Sequence, residues 1–253
     1  MQTDSNNPNP SNVAATNSNS PAVKFFIPPT QRRKFFLLFT SMTVLGWVVG
    51  GVFSLAVERI LTQILAASGS LEMQTWSYGI KLLSNIVFAV VFATDQALVM
   101  RRYLSGWRWM IATTIGWLTA DCVATAWINY IASIANSLNE TLSPELVIIF
   151  GLLSTIAYIF SGIWMGLLQW LVVRRYTTKS WWWNLVPSVA FLLISLLVWL
   201  LSLMQNFIPE AILYSSQQGF TAIILGIVPA IGFCSLKRRL QKQVLENVEH
   251  IKE

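Results

Sequence analysis

Two carboxylates stand where a carboxylate is hardest to keep. Asp95 and Asp121 are the lone charges in the apolar stretches 82–100 and 109–135. Asp121 lies ~20 Å along a helix from Arg108, near the middle of a bilayer, and Asp95 lies ~9 Å in from Arg101. An ionised carboxylate at the centre of a lipid-facing helix costs about 2.5–3.5 kcal/mol, so both are expected to face the interior of a helix bundle. There the two form a candidate intramembrane polar site. With Thr113, Thr114 and Thr125 on the same stretch, Asp121 could handle a proton or a cation. The plainer reading is a neutral Asp bonded to a neighbouring helix.

A second group of polar residues recurs. Gln96-Ala-Leu-Val-Met-Arg101-Arg102-Tyr103 returns as Gln169-Trp-Leu-Val-Val-Arg174-Arg175-Tyr176, and again with Phe233 in the Gln place before Arg238-Arg239. Each Gln sits roughly 7–8 Å inside its Arg pair, deep enough to bond a neighbouring helix or to reach interfacial water. The Arg pairs can snorkel to headgroups and fix helix depth, or dock anionic lipid or an acidic partner. Other chemistry is missing. The single His, His250, lies in a charged tail, and Cys122 and Cys234 lie in apolar runs, where thiols behave as small buried hydrophobes. No nucleophile motif, metal-ligand spacing or phosphate-binding loop occurs, so neither an enzyme nor a bound metal or cofactor is expected.

The elements that position these residues follow from composition. Of 253 residues, 55% are hydrophobic and 11% charged. Soluble domains carry roughly 25% charged residues, so lipid is the expected solvent. Residues 35–57, 146–173, 181–208 and 211–236 carry no charge at all. With 82–100 and 109–135 they make six runs of the ~20 residues needed to cross a ~30 Å core. Period-2 alternation is absent, which excludes barrel strands. The expected fold is an all-α membrane protein with six transmembrane helices. Ser215–Ser216–Gln217–Gln218–Gly219 is expected to belong to the loop before the sixth.

The net charge of +6 records topology. All Lys and Arg except Arg59 and Lys81 fall on one side of the six runs, and the opposite loops carry Glu58, Glu72, Glu140, Glu145 and Glu210. The positive-inside rule makes the basic side, with both termini, cytoplasmic. The basic residues are split into pairs at helix ends and not gathered on one face, so nucleic acid is not an expected partner. Anionic headgroups at the Arg pairs are, along with a membrane-protein partner or a second copy.

Small residues four apart precede each Gln or Phe: Ala89 and Ala93, Gly162 and Gly166, Gly226 and Ala230. Such pairs let helix backbones approach closely where lipid gives no hydrophobic drive. Leu45-Gly46-Trp47 likewise matches Ile115-Gly116-Trp117. The chain therefore divides into a disordered segment 1–23, three tandem helical hairpins at 24–106, 107–179 and 180–239, and a helical cytoplasmic tail at 240–253. In the tail Leu236, Leu240, Val244, Val248 and Ile251 form one stripe, read as a helix extending the sixth span.

Gln-Trp-Leu-Val-Val-Arg-Arg followed by a Trp-rich helix start resembles a motif repeated in multi-pass membrane proteins of cyanobacteria and related bacteria that have no assigned activity. The resemblance implies a prokaryotic inner membrane, plasma membrane or thylakoid, and brings no catalytic residues. Two functions fit the sequence. The first is a non-enzymatic scaffold, assembly or accessory subunit working through helix packing and Arg-rich edges. The second is a small transporter or channel with Asp121 in a proton- or cation-linked path.

Overall fold

A computed structural model describes residues 25–67, 73–137 and 144–238. The segments 1–23 and 240–253, together with Arg239, lie outside them. Six helices account for almost all of the described chain: α1 Arg32–Ala67, α2 Met73–Met100, α3 Gly106–Ser137, α4 Pro144–Val173, α5 Val186–Ser202 and α6 Glu210–Ser235. All six belong to segments long and apolar enough to cross a membrane. The 36 residues of α1 extend ~54 Å, well beyond a ~30 Å hydrocarbon core.

Each helix packs on the next in sequence, and α6 closes back on α1, so the bundle is a ring. Glycines set the closest approaches. A Cβ on Gly46 would meet Asp95 and Phe92 across the α1–α2 contact, one on Gly116 would meet Met165 across α3–α4, and one on Gly226 would meet Thr40 where α6 meets α1. Gly162 lies equally close to Ser188 of α5. Gly162 and Gly226 belong to the small pairs at four-residue spacing, and all four glycines work by letting helices approach closely.

Three local features depart from the expectations above. Ser215–Gly219 is helical, inside α6, because Pro209 at the N-cap and Glu210 in the first turn start the helix well before it. Trp181–Leu185 forms a 3₁₀ turn, and α5 begins only at Val186 with Pro187 in its first turn. α6 does not run on unbroken into the tail: Leu236 is extended, and Lys237–Arg238 forms a strand (β2) antiparallel to Thr177–Thr178 (β1). Phe25 bridges Lys237 from the other side, and the Phe26 N–H donates to the Leu236 carbonyl. This clasp buries Phe26, Ile27 and Leu236 under the bundle. Cys122 is exposed and not a buried hydrophobe, and both cysteines are free.

Packing is uneven along the ring. Phe39 of α1, Trp109 of α3, Trp183 before α5 and Phe233 of α6 are all fully buried. Phe233 touches the other three, with ring centroids 5.6, 5.3 and 4.2 Å away respectively. Side chains from alternate helices meet this way only inside the ring, so the four rings plug its axis near the basic end. Towards the acidic end burial thins in α1, α5 and α6, while Ser84 of α2 and Ile131 of α3 remain buried. No residue is buried beyond Gly50 in α1 or beyond Ile194 in α5, and none before Thr221 in α6. Val52, Phe53 and Leu55 are each more than half exposed. Steps of 100° place those three within an arc of ~160°, the width of one lipid-facing side of α1.

A candidate solute chamber at Asp121

A second aromatic tier lies ~12 Å along the helices from the plug, towards the acidic end. Trp47 of α1 and Trp117 of α3 meet edge-on at 5.9 Å between ring centroids, and Phe88 and Phe92 of α2 back both of them. Tyr158 of α4 stacks on Phe191 of α5 at 4.7 Å. Between these two groups lies a cavity of about 150 Å³ lined by Trp47, Trp117, Tyr158 and Phe191, with Ala120, Asp121, Ala124 and Ser161. Its surface is overwhelmingly apolar. Ala120 and Ala124, one turn apart on α3, leave the space that larger side chains would fill.

Asp121 stands at the rim. Its Oδ2 accepts a hydrogen bond of 2.8 Å from the Asn85 amide of α2, whose Oδ1 accepts one from the Trp117 indole at 3.2 Å. The Trp47 indole donates to Gln218 of α6 at 3.1 Å. Both indole N–H groups are thus tied to amides, which fixes the rings around the cavity. No ion pair reaches Asp121 among the described residues. Thr113, Thr114 and Thr125, expected beside it, are not its partners: Thr113 bonds Gln169. Asn85 and Gln218 were the polar residues that sequence reasoning passed over. A lone Asn inside an apolar run is the signal that could have found the first.

Asp95 lies apart from this site. It is half-buried at the α1–α2 contact, directly opposite Gly46, where a Cβ would come within 2.9 Å of its Oδ2. Asp121 and Asp95 therefore do not form one polar site. The absence of a side chain at Gly46 makes room for the carboxylate.

The recurrent Gln residues are both buried. Gln169 joins three elements: its Nε2 donates to Thr113 Oγ1 of α3, and its Oε1 accepts from the Trp183 indole, each at 3.3 Å. Gln169 thereby fastens the plug to α3 and α4. Arg101, Arg102, Arg174, Arg175 and Arg238 are exposed at the basic end. The Arg174 guanidinium lies 5.0 Å over the Trp170 ring, and Arg32 lies 4.3 Å over Phe25. Between α1 and α2 a groove of about 270 Å³ is lined by Gln31, Lys34, Phe35, Leu38, Val99, Arg102 and Tyr103. Burial pushes the Tyr103 phenol above its ordinary range, an effect the Arg102 charge partly offsets.

Among the described residues no group of His, Cys, Asp and Glu could hold a metal ion. No known protein family, curated protein or solved structure matches the chain.

Proposed function

We propose that the chain is a non-enzymatic small transporter of the inner membrane that takes a cationic solute or proton onto Asp121. The observation that carries this reading is Asp121 itself. A carboxylate with no ionic partner among the described residues sits at the rim of an aromatic-walled cavity, on the acidic-end side of the plug of Phe39, Trp109, Trp183 and Phe233. A sealed floor suits alternating access better than an open channel.

The finer architecture belongs to the same proposal. Three tandem hairpins around an axis are supported by one matching contact: Gly46 faces Phe92 as Gly116 faces Met165. Phe39, Trp109 and Trp183 hold corresponding places, with Phe233 in the place of a Gln. A cytoplasmic basic end, with both termini there, rests on the distribution of Lys and Arg. The chamber then opens to the side opposite the cytoplasm.

The test is accessibility. With Cys122 and Cys234 replaced by Ser, Ala124→Cys should react with a membrane-impermeant thiol reagent added from the side opposite the cytoplasm. It should resist the same reagent added from the cytoplasmic side of inverted vesicles. Equal labelling from both sides contradicts the seal, and labelling from neither contradicts an open chamber.

The scaffold reading retains one specific observation, the groove lined by Lys34 and Arg102 together with Leu38 and Val99. That pairing of charge and apolar surface fits an anionic headgroup with its acyl chain. Lipid mass spectrometry of the gently extracted protein tests it: anionic lipid retained by the native chain and lost from Lys34→Glu/Arg102→Glu supports it. Equal retention by both removes it.

A further inference from the structure

The chamber's chemistry, resting on the Asp121 reading above, is narrower than "a cation". We propose that it binds a methylated ammonium, of the size of tetramethylammonium or choline. Four observations point to that ligand class.

The first is charge. Asp121 is the one carboxylate lining the cavity, and no cationic side chain pairs with it among the described residues. Asp121 is exposed at the rim, so a monocation can reach its carboxylate and be held there by opposite charge. The second is the walls. Trp47, Trp117, Tyr158 and Phe191 surround the space, and aromatic rings attract cations through their quadrupoles, Trp most strongly. The indole N–H groups are engaged by Gln218 and Asn85, which leaves the ring surfaces as the chamber's recognition elements.

The third observation concerns ligands for small inorganic cations. Those need several oxygen donors at short range. Among side chains the lining offers only the Asp121 carboxylate and the Ser161 and Tyr158 hydroxyls. A cation whose charge is spread over methyl groups needs no such shell. The fourth is size. The cavity measures about 150 Å³, and an engineered apolar cavity of that order (~150 Å³) admits benzene. Tetramethylammonium and choline fall in the same range. Asp121 Oδ2, fixed by Asn85, would supply the counter-charge at the rim while the methyl groups enter between the rings.

The experiment is equilibrium dialysis of the full chain in nanodiscs against radiolabelled choline, with the series from ammonium to tetramethylammonium as competitors. Competition by the native chain should strengthen at least tenfold across that series, and potassium should not compete. Asp121→Asn and Ala124→Leu, which respectively remove the charge and fill the space, should each weaken choline binding at least tenfold. The native series keeps the test decisive if either variant fails to fold. A flat series, potassium competing as well as tetramethylammonium, or no saturable choline binding overturns the ligand class. If choline fails to bind while an Asp121-dependent flux of protons or metal cations persists, this inference falls and the proposed function stands. If choline binds and no flux depends on Asp121, the site stands and transport falls.

Discussion

The Asn85 amide reaches across the α2–α3 contact to the Asp121 carboxylate at 2.8 Å, and the same amide accepts from Trp117. One side chain thus orients both the charge and a wall of the chamber. In membrane proteins such interhelical bonds average ~0.6 kcal/mol and reach about 1.7 kcal/mol. A double-mutant cycle of Asn85→Ala and Asp121→Ala, read by unfolding in mixed detergent, should therefore give a coupling of about 0.5–2 kcal/mol. Additive single effects would mean the pair does not interact in the membrane.

Gln169 carries a different load, because its partners are buried. Gln169→Leu leaves the Trp183 indole N–H without an acceptor. An orphaned buried donor costs about 1–3 kcal/mol, so the variant should unfold correspondingly earlier. Adding Trp183→Phe, which removes the orphan, should recover part of the loss. If Gln169→Leu proves neutral in thermal unfolding, Gln169 is not a structural link between α3, α4 and the plug.

The glycines divide cleanly. A Cβ on Gly166 would overlap the Asn184 carbonyl, and one on Gly162 would lie 2.7 Å from the Ser188 nitrogen. Backbone cannot step aside as a side chain can, so Gly166→Ala and Gly162→Ala should each cost more than about 2 kcal/mol or block folding. Gly219 and Gly151 have nothing within 4 Å of an added Cβ. Alanine there should be neutral or stabilising by up to ~1 kcal/mol through helix propensity. Equal effects at the two classes, in a thermal-shift series, would contradict the ring's close contacts.

Tyr103, at the basic end outside the spans, gives a pH signature. Burial raises its phenol above the ordinary 10.0, with Arg102 pulling the other way. The folded chain then holds the phenolic proton more tightly than the unfolded chain does. Its contribution to stability is present below pH 10.0 and is lost as pH rises through the higher folded value. Native protein should lose stability in that alkaline window, and Tyr103→Phe should lose less. Parallel pH–stability curves would show that the phenol is not held by the fold.

The six spans were legible because lipid excludes charge, so uncharged length alone marks them. The packing role of Gly162 and Gly226 was legible in their spacing, because small residues four apart share one helix face. Closure of α6 on α1 was not, since periodicity shows a face without naming the helix that covers it. The Asn85–Asp121 bond joins residues 36 apart in sequence and depends on the rotation of two helices about their axes. The clasp of Phe25, Thr177–Thr178 and Lys237–Arg238 escaped notice because two-residue strands are too short to show alternation. The plug explains in retrospect why the sixth span carries Phe233 in the place held by Gln96 and Gln169: three aromatic rings converge there.

The most direct test of a transport role at Asp121 is flux. Purified protein in proteoliposomes, under imposed proton or cation gradients and over a panel that includes methylated ammoniums, should give a flux above protein-free vesicles. Asp121→Asn, incorporated to the same level, should abolish it. Flux that survives Asp121→Asn unchanged, or no flux from the native chain across the whole panel, would contradict the account.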